Sequence, residues 1–155
     1  IQDNSKVAVD QGQSAQIHRR TWKNNRHRQQ RKELKEGNWS MTIEECYKQL
    51  GGDYSNVLSR LSNDAIIRKF LVKFLSDGSC GNIFTNLESG NLEEAFRAAH
   101  TLKGICQNLG MDNLYRSSFE VTEALRGGSN NTNEEMLSRL KADYEAAVET
   151  IKQLS

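Results

Sequence analysis

From Met41 onward, apolar residues recur at steps of three and four, and polar clusters interrupt them at short intervals. Thr42 and Glu45 are spaced as a capping box ahead of Cys46, Tyr47 and Leu50, and Gly51-Gly52 closes that short helix. Asp53 can cap a second helix holding Tyr54, Val57, Leu58 and Leu61. Asn63 or Asp64 opens a third, in which Ile66, Ile67, Phe70, Leu71, Phe74 and Leu75 make a dense apolar stripe. Asp77-Gly78 predicts a kink or a break, after which Ile83, Phe84 and Leu87 carry the period to Ser89-Gly90. Asn91 then caps a strong helix, with Glu93 and Glu94 in its first turn and Gly110 as its stop. Its apolar face is Leu92, Ala95, Phe96, Ala99, Leu102, Cys106 and Leu109. Met111 to Arg126 repeats the pattern through Leu114, Tyr115, Ser118, Phe119, Thr122 and Leu125. Gly127-Gly128-Ser129-Asn130-Asn131 predicts a flexible loop, and Asn133 caps a last helix through Met136, Leu137, Leu140, Tyr144, Ala147, Val148, Ile151 and Leu154.

Four long amphipathic segments joined by short polar turns predict an all-α fold, an antiparallel up-down-up-down four-helix bundle with short leading helices. The chain has no proline to break a helix and no alternating Val/Ile/Thr run to suggest a strand. Hydrophobic residues make up 36% of the chain, low but enough for one helical core.

Charge divides the sequence. Residues 1–40 carry nine Lys and Arg against four Asp and Glu, and residues 41–155 carry twelve against sixteen. The boundary therefore falls near Trp39-Ser40, with a basic N-terminal extension before it and the helical domain over 41–155. Residues 1–40 read as a basic polar tail, a linker or an expression-derived extension. A basic arm for nucleic acid or an acidic partner, resting on Ile17 to Lys35, is the weaker alternative. His18 and His27 have no cysteine or carboxylate at ligand spacing, so no metal site is expected there. Cys46, Cys80 and Cys106 are odd in number and widely spaced, which fits free thiols in a reducing compartment. No apolar run approaches the ~18 residues of a membrane span and no signal peptide is visible, so a cytoplasmic location is expected.

The candidate chemistry lies in Ala99-His100-Thr101-Leu102-Lys103-Gly104, within the helix that begins after Asn91. His100 is the only histidine after residue 27. It falls to the side of the apolar stripe, with Lys103 beside it, Gly104 one turn beyond and Gln107 on the same ridge. Gly104 is an unexpected choice, because a mid-helix glycine costs about 1 kcal/mol relative to alanine. Close approach of another surface to His100 would offset that cost. An ordinary imidazole is largely neutral and nucleophilic at pH 7. Nucleophile, cation and clearance on one ridge suit a group that accepts and passes on a phosphoryl unit. A lone helical histidine is more often a surface residue than a reactive one, so the flanking pattern decides between the two.

That pattern resembles the signature of the histidine-containing phosphotransfer (HPt) domain family of two-component signalling. His100, Leu102, Lys103, Gly104 and Gly110 match its spacing of His-x-Leu-Lys-Gly followed by five residues and Gly. The likeness covers Met41 to Ser155. Ile105, Cys106 and Gln107 depart from the small residues that often follow the motif glycine. The resemblance implies the four-helix bundle, with His100 exposed midway along its second long helix and the small leading helices covering the bundle nearby. It implies a phosphorelay intermediate in which His100 accepts a phosphoryl group from a receiver-domain aspartate, or from a kinase, and passes it to another receiver aspartate. Lys103 would screen the phosphoryl charge, Gly104 would leave room for the receiver, and Gln107, Phe96 and Arg97 would lie at the docking surface.

The chain shows no GxxxxGK[ST] phosphate loop and no acidic cluster fit to hold Mg²⁺. It is therefore expected to be a phosphotransfer protein and not an enzyme with its own nucleotide site. No cofactor or metal of its own is expected, and the Mg²⁺ would sit on the partner receiver. The expected partners are response-regulator receivers and a sensor or hybrid histidine kinase, without membrane or nucleic acid. Two alternatives stay open: a phosphoacceptor domain of a larger chemotaxis-type kinase, and a helical adaptor that no longer transfers phosphate.

Overall fold

The computed structural model describes residues 41–154. The basic extension over 1–40, with its His18 and His27, lies outside the described residues, as does Ser155. Every regular element among the described residues is helical: α1 (Ile43–Leu50), α2 (Tyr54–Leu61), α3 (Asp64–Phe74), α4 (Ser79–Glu88), α5 (Leu92–Leu109), α6 (Asp112–Ala124) and α7 (Glu134–Lys152). A 3₁₀ turn over Arg126–Gly128 follows α6.

Helix starts are fixed by the polar residues expected to fix them. The Thr42 hydroxyl accepts from the Glu45 N–H at 3.1 Å while the Thr42 N–H donates to the Glu45 carboxylate at 2.9 Å, completing the capping box. Asp53, Asn63, Asn91 and Asn133 each accept from the backbone N–H three residues on. Between Asn63 and Asp64, it is Asn63 that caps α3. Asp77-Gly78 is a full break: Ser76 and Asp77 close the end of α3, and the Asp77 carboxylate accepts from the Ser79 N–H at 2.9 Å to open α4. The loop expected to be flexible is tied by hydrogen bonds. The Asn131 N–H donates to the Ala124 carbonyl at 2.9 Å, and the Asn130 side chain accepts from Thr132.

The core forms where α4 packs on α5, α5 on α6 and α6 on α7, with α1 set against α7. Leu102, Cys106, Met111, Leu114, Val121, Leu125, Leu140 and Ile151 are fully buried at its centre. The α5 face is as expected, with Ala98 added and with Leu92 and Phe96 only partly covered. The apolar stripe of α3 is narrower than expected. Ile67, Leu71 and Phe74 are buried, but Ile66 and Phe70 lie on the exposed side, since α3 meets α1, α2, α5 and α7 through one stripe only. All three cysteines are free and buried in helices.

The α1–α2 hairpin fastens the C-terminal end of α5. The buried Tyr47 hydroxyl donates to the Leu109 carbonyl at 2.7 Å. Gly110 stops α5 at φ 65°, a left-handed conformation that suits glycine. Its backbone lies so close to the hairpin that a Cβ on Gly52 would collide with the Gly110 carbonyl, and one on Gly110 with the Val57 side chain. Arg60 adds a hydrogen bond to the Asn108 carbonyl at 3.1 Å.

Candidate functional site

The site is built on the exposed ridge of α5. Ala95, Ala99, Leu102 and Cys106 point into the core, which turns the intervening His100 outward. Three and four residues on come Lys103 and Gly104, both half-buried, and then Gln107, which is exposed. The sequence-predicted ridge is therefore present as one surface. A Cβ added to Gly104 would meet nothing within 4 Å. The domain's own packing does not require this glycine.

Phe96 lies one turn before His100, half-buried, with its ring centroid 6.0 Å from that of the imidazole. It is both a rim of the core and a neighbour of the histidine. Arg97 is exposed, but its guanidinium is bound to Glu93 and Glu94, each at 2.7 Å. It is thus paired with the acidic first turn of its own helix and not turned toward His100.

The α6 helix and the turn after it bring side chains to the site that the sequence pattern does not assign to it. Phe119 belongs to the apolar periodic positions, yet it is 43% exposed. The Lys103 ammonium lies over its ring, 5.6 Å from the centroid. Arg126 lies over the ring of Phe96 at 5.5 Å and donates to both carboxylate oxygens of Glu123 at 2.9 and 2.6 Å. These hydrogen bonds, aided by the charges of Arg126 and Lys103, hold the Glu123 carboxyl below the ordinary carboxylate value. The same pairing raises Arg126. Two cations, two aromatic rings and one carboxylate thus gather where α6 and its following turn meet the α5 ridge, and Phe96 links them to His100. The available signal was the spacing of Phe119, Glu123 and Arg126, which puts all three on one face of α6 and its continuation.

The thiols are not poised for chemistry. Burial pushes Cys46 and Cys80 up to about 11 and Cys106 up to about 12. Among the described residues, no group of three or more His, Cys, Asp or Glu side chains could hold a metal ion. None of the described helices is long and apolar enough to cross a membrane.

Residues 74–150 match the family model described as the Hpt domain. That stretch runs from the last residue of α3 through α4, α5 and α6 into the final turns of α7, and it contains the whole ridge around His100. No curated protein and no solved structure was found to match the chain.

Proposed function

Through residues 74–150 the chain belongs to the Hpt domain family, and on that footing we propose that it is a phosphorelay intermediate with His100 as its phosphoacceptor. The family carries histidine-containing phosphotransfer in two-component signalling, and its members interact with receiver domains and histidine kinases. They are phosphotransfer modules and not enzymes with nucleotide sites. In this proposal α4 to α7 form the up-down-up-down bundle, residues 41–155 the working domain and residues 1–40 a basic extension. Its receiver partners would place it in the cytoplasm.

His100 attacks with the Nε2 lone pair while its proton stays on Nδ1. A bond forms from Nε2 to the phosphorus of a receiver aspartyl phosphate, and the bond from phosphorus to the aspartate oxygen breaks. The aspartate leaves as a carboxylate. The ring then carries the positive charge left by the donated pair, beside the phosphoryl oxygens. Onward transfer reverses these steps with a second receiver aspartate. A Mg²⁺ ion that assisted each step would be held by the receiver. On this chain, Lys103 offsets phosphoryl charge, Gly104 admits the receiver's loops, and Gln107, Phe96 and Arg97 border the contact.

Gly104 carries the proposal. A half-buried glycine in mid-helix costs about 1 kcal/mol, and nothing in the domain occupies the space that a side chain would fill. A surface outside the domain accounts for it, and that surface must come within reach of the imidazole one turn away.

The test is phosphoryl transfer from a phosphorylated receiver to the wild type and to His100→Gln. The expected result is label on the wild type alone, acid-labile and base-stable. Label persisting on the variant would assign the phosphoryl to another residue. A wild type that takes no label from any of a panel of receivers would leave a helical adaptor in its place.

A further inference from the structure

We propose that Phe119 is a positioning residue for Lys103, holding its ammonium beside His100 before the phosphoryl group arrives. The inference rests on the phosphoacceptor role proposed for His100.

Phe119 has no structural duty that explains it. The core face of α6 is Leu114, Ser118, Val121 and Thr122, all fully buried or nearly so, and Phe119 points away from it. Among the described residues its ring meets one other aromatic ring, that of Tyr115, at 6.1 Å on the same helix. At 43% exposure Phe119 leaves a substantial part of its apolar ring in water. What it does have is the Lys103 ammonium over its face at 5.6 Å, in the range where the ring quadrupole attracts a cation.

Lysine has a four-carbon stem with many rotamers, and fixing it costs entropy. A free Lys103 would spread its charge over a wide arc of solvent. Docked on Phe119, its stem is confined to the α6 side of the ridge that also carries His100. The attraction of a ring for a cation is weaker than that of a phosphoryl dianion. The stem stays against the ring while the ammonium turns its N–H groups to the phosphoryl oxygens as the N–P bond forms, so the restraint is kept through the step. Part of the ordering cost is met in the resting protein.

Two measurements test this. The first does not involve phosphate. In the wild type the Lys103 ε-methylene protons should resonate upfield through the ring current of Phe119, and Phe119→Leu should return them to the ordinary lysine position. Ordinary lysine shifts in the wild type would overturn the proposal. The second is a double-mutant cycle on the rate of transfer from a phosphorylated receiver, using Phe119→Leu, Lys103→Met and both together. Phe119→Leu should slow transfer about two- to fivefold in the native background, have no further effect in Lys103→Met, and be rescued by Phe119→Tyr. An equal slowing in both backgrounds would make Phe119 a direct docking contact and overturn the positioning role. An upfield shift in a wild type that takes no label would overturn the phosphoacceptor role itself, and the positioning role with it.

Discussion

The guanidinium of Arg126 lies over the ring of Phe96, and so joins the turn after α6 to the turn of α5 that leads into His100. Arg126 is held in that place by both oxygens of Glu123. The pair is exposed, so its value is in placing charge and not in stability.

Glu123 reports on that placement. Its carboxyl is held down first by the Arg126 hydrogen bonds and then by the charges of Arg126 and Lys103. A carboxyl with a lowered value favours the folded, paired state above the ordinary value of 4.5 and loses that preference as pH falls through its own titration. In a carbon-detected NMR titration, Glu123 should therefore titrate below 4.5 in the wild type. Arg126→Met should move it upward strongly, and Lys103→Met upward by less. An unchanged midpoint in Arg126→Met would show that the guanidinium does not govern the carboxylate.

Gly104→Ala should separate stability from function. The added methyl meets nothing in the domain, and alanine is the better helix former by about 0.5–1 kcal/mol. The thermal midpoint should rise by a few degrees. Receiver-to-His100 transfer should fall about tenfold, equivalent to about 1.4 kcal/mol of lost docking. Calorimetry and transfer assays on one preparation check both. Unchanged transfer would show that no incoming surface uses the space beside Gly104.

Tyr47→Phe keeps the ring in its buried place and deletes one hydroxyl. The Leu109 carbonyl would lose its 2.7 Å partner inside the protein. The expected cost is about 1–2 kcal/mol, read as a lower midpoint in urea unfolding with an unchanged slope. A midpoint equal to the wild type would mean that water replaces the hydroxyl without penalty.

The buried thiols predict loss of stability in alkali. Cys46 and Cys80 are pushed up to about 11 and Cys106 to about 12 from an ordinary value of 9.0, in each case mainly by burial. The folded state thus keeps protons that the unfolded chain gives up. Their contribution is whole below pH 9.0 and is lost as pH rises from there through 11 to 12. Urea midpoints measured from pH 7 to 11 should fall above pH 9, and Cys106→Ala should flatten the slope. Equal slopes in the two proteins would show that other groups, such as the buried Tyr47 phenol, which is also pushed up, govern the decline.

Much of the fold was legible because its boundaries are set by local chemistry. Thr42, Asp53, Asn91 and Asn133 cap helices through their own side chains, and Gly110 stops one through its own φ angle, so each can be recognised without its surroundings. The ridge of His100, Lys103, Gly104 and Gln107 was legible for the same reason, since one helix carries all four. Phe119, Glu123 and Arg126 were not, because they reach the site from another element, and a helical period does not say which neighbour an exposed ring will meet. Ile66 and Phe70 failed differently. They continue an apolar stripe in sequence, but only packing against a second surface determines how wide a stripe is covered, and here that surface ends at Ile67 and Leu71.

The close passage of Gly52 against Gly110 has a consequence for how the proposed receivers would be told apart. Packed helices can roll about their long axes when side chains between them change rotamer. At this crossing the main chains of two turns meet directly, with the buried Tyr47 and Val57 side chains packed beside them. The contact works as an index pin that sets the azimuth of α5. A roll would swing His100, Gly104 and Gln107 sideways together, and the pin opposes it. If His100 is the phosphoacceptor proposed above, every incoming receiver would meet the imidazole at the same heading, and the choice among receivers would fall to the side chains along the border of the ridge.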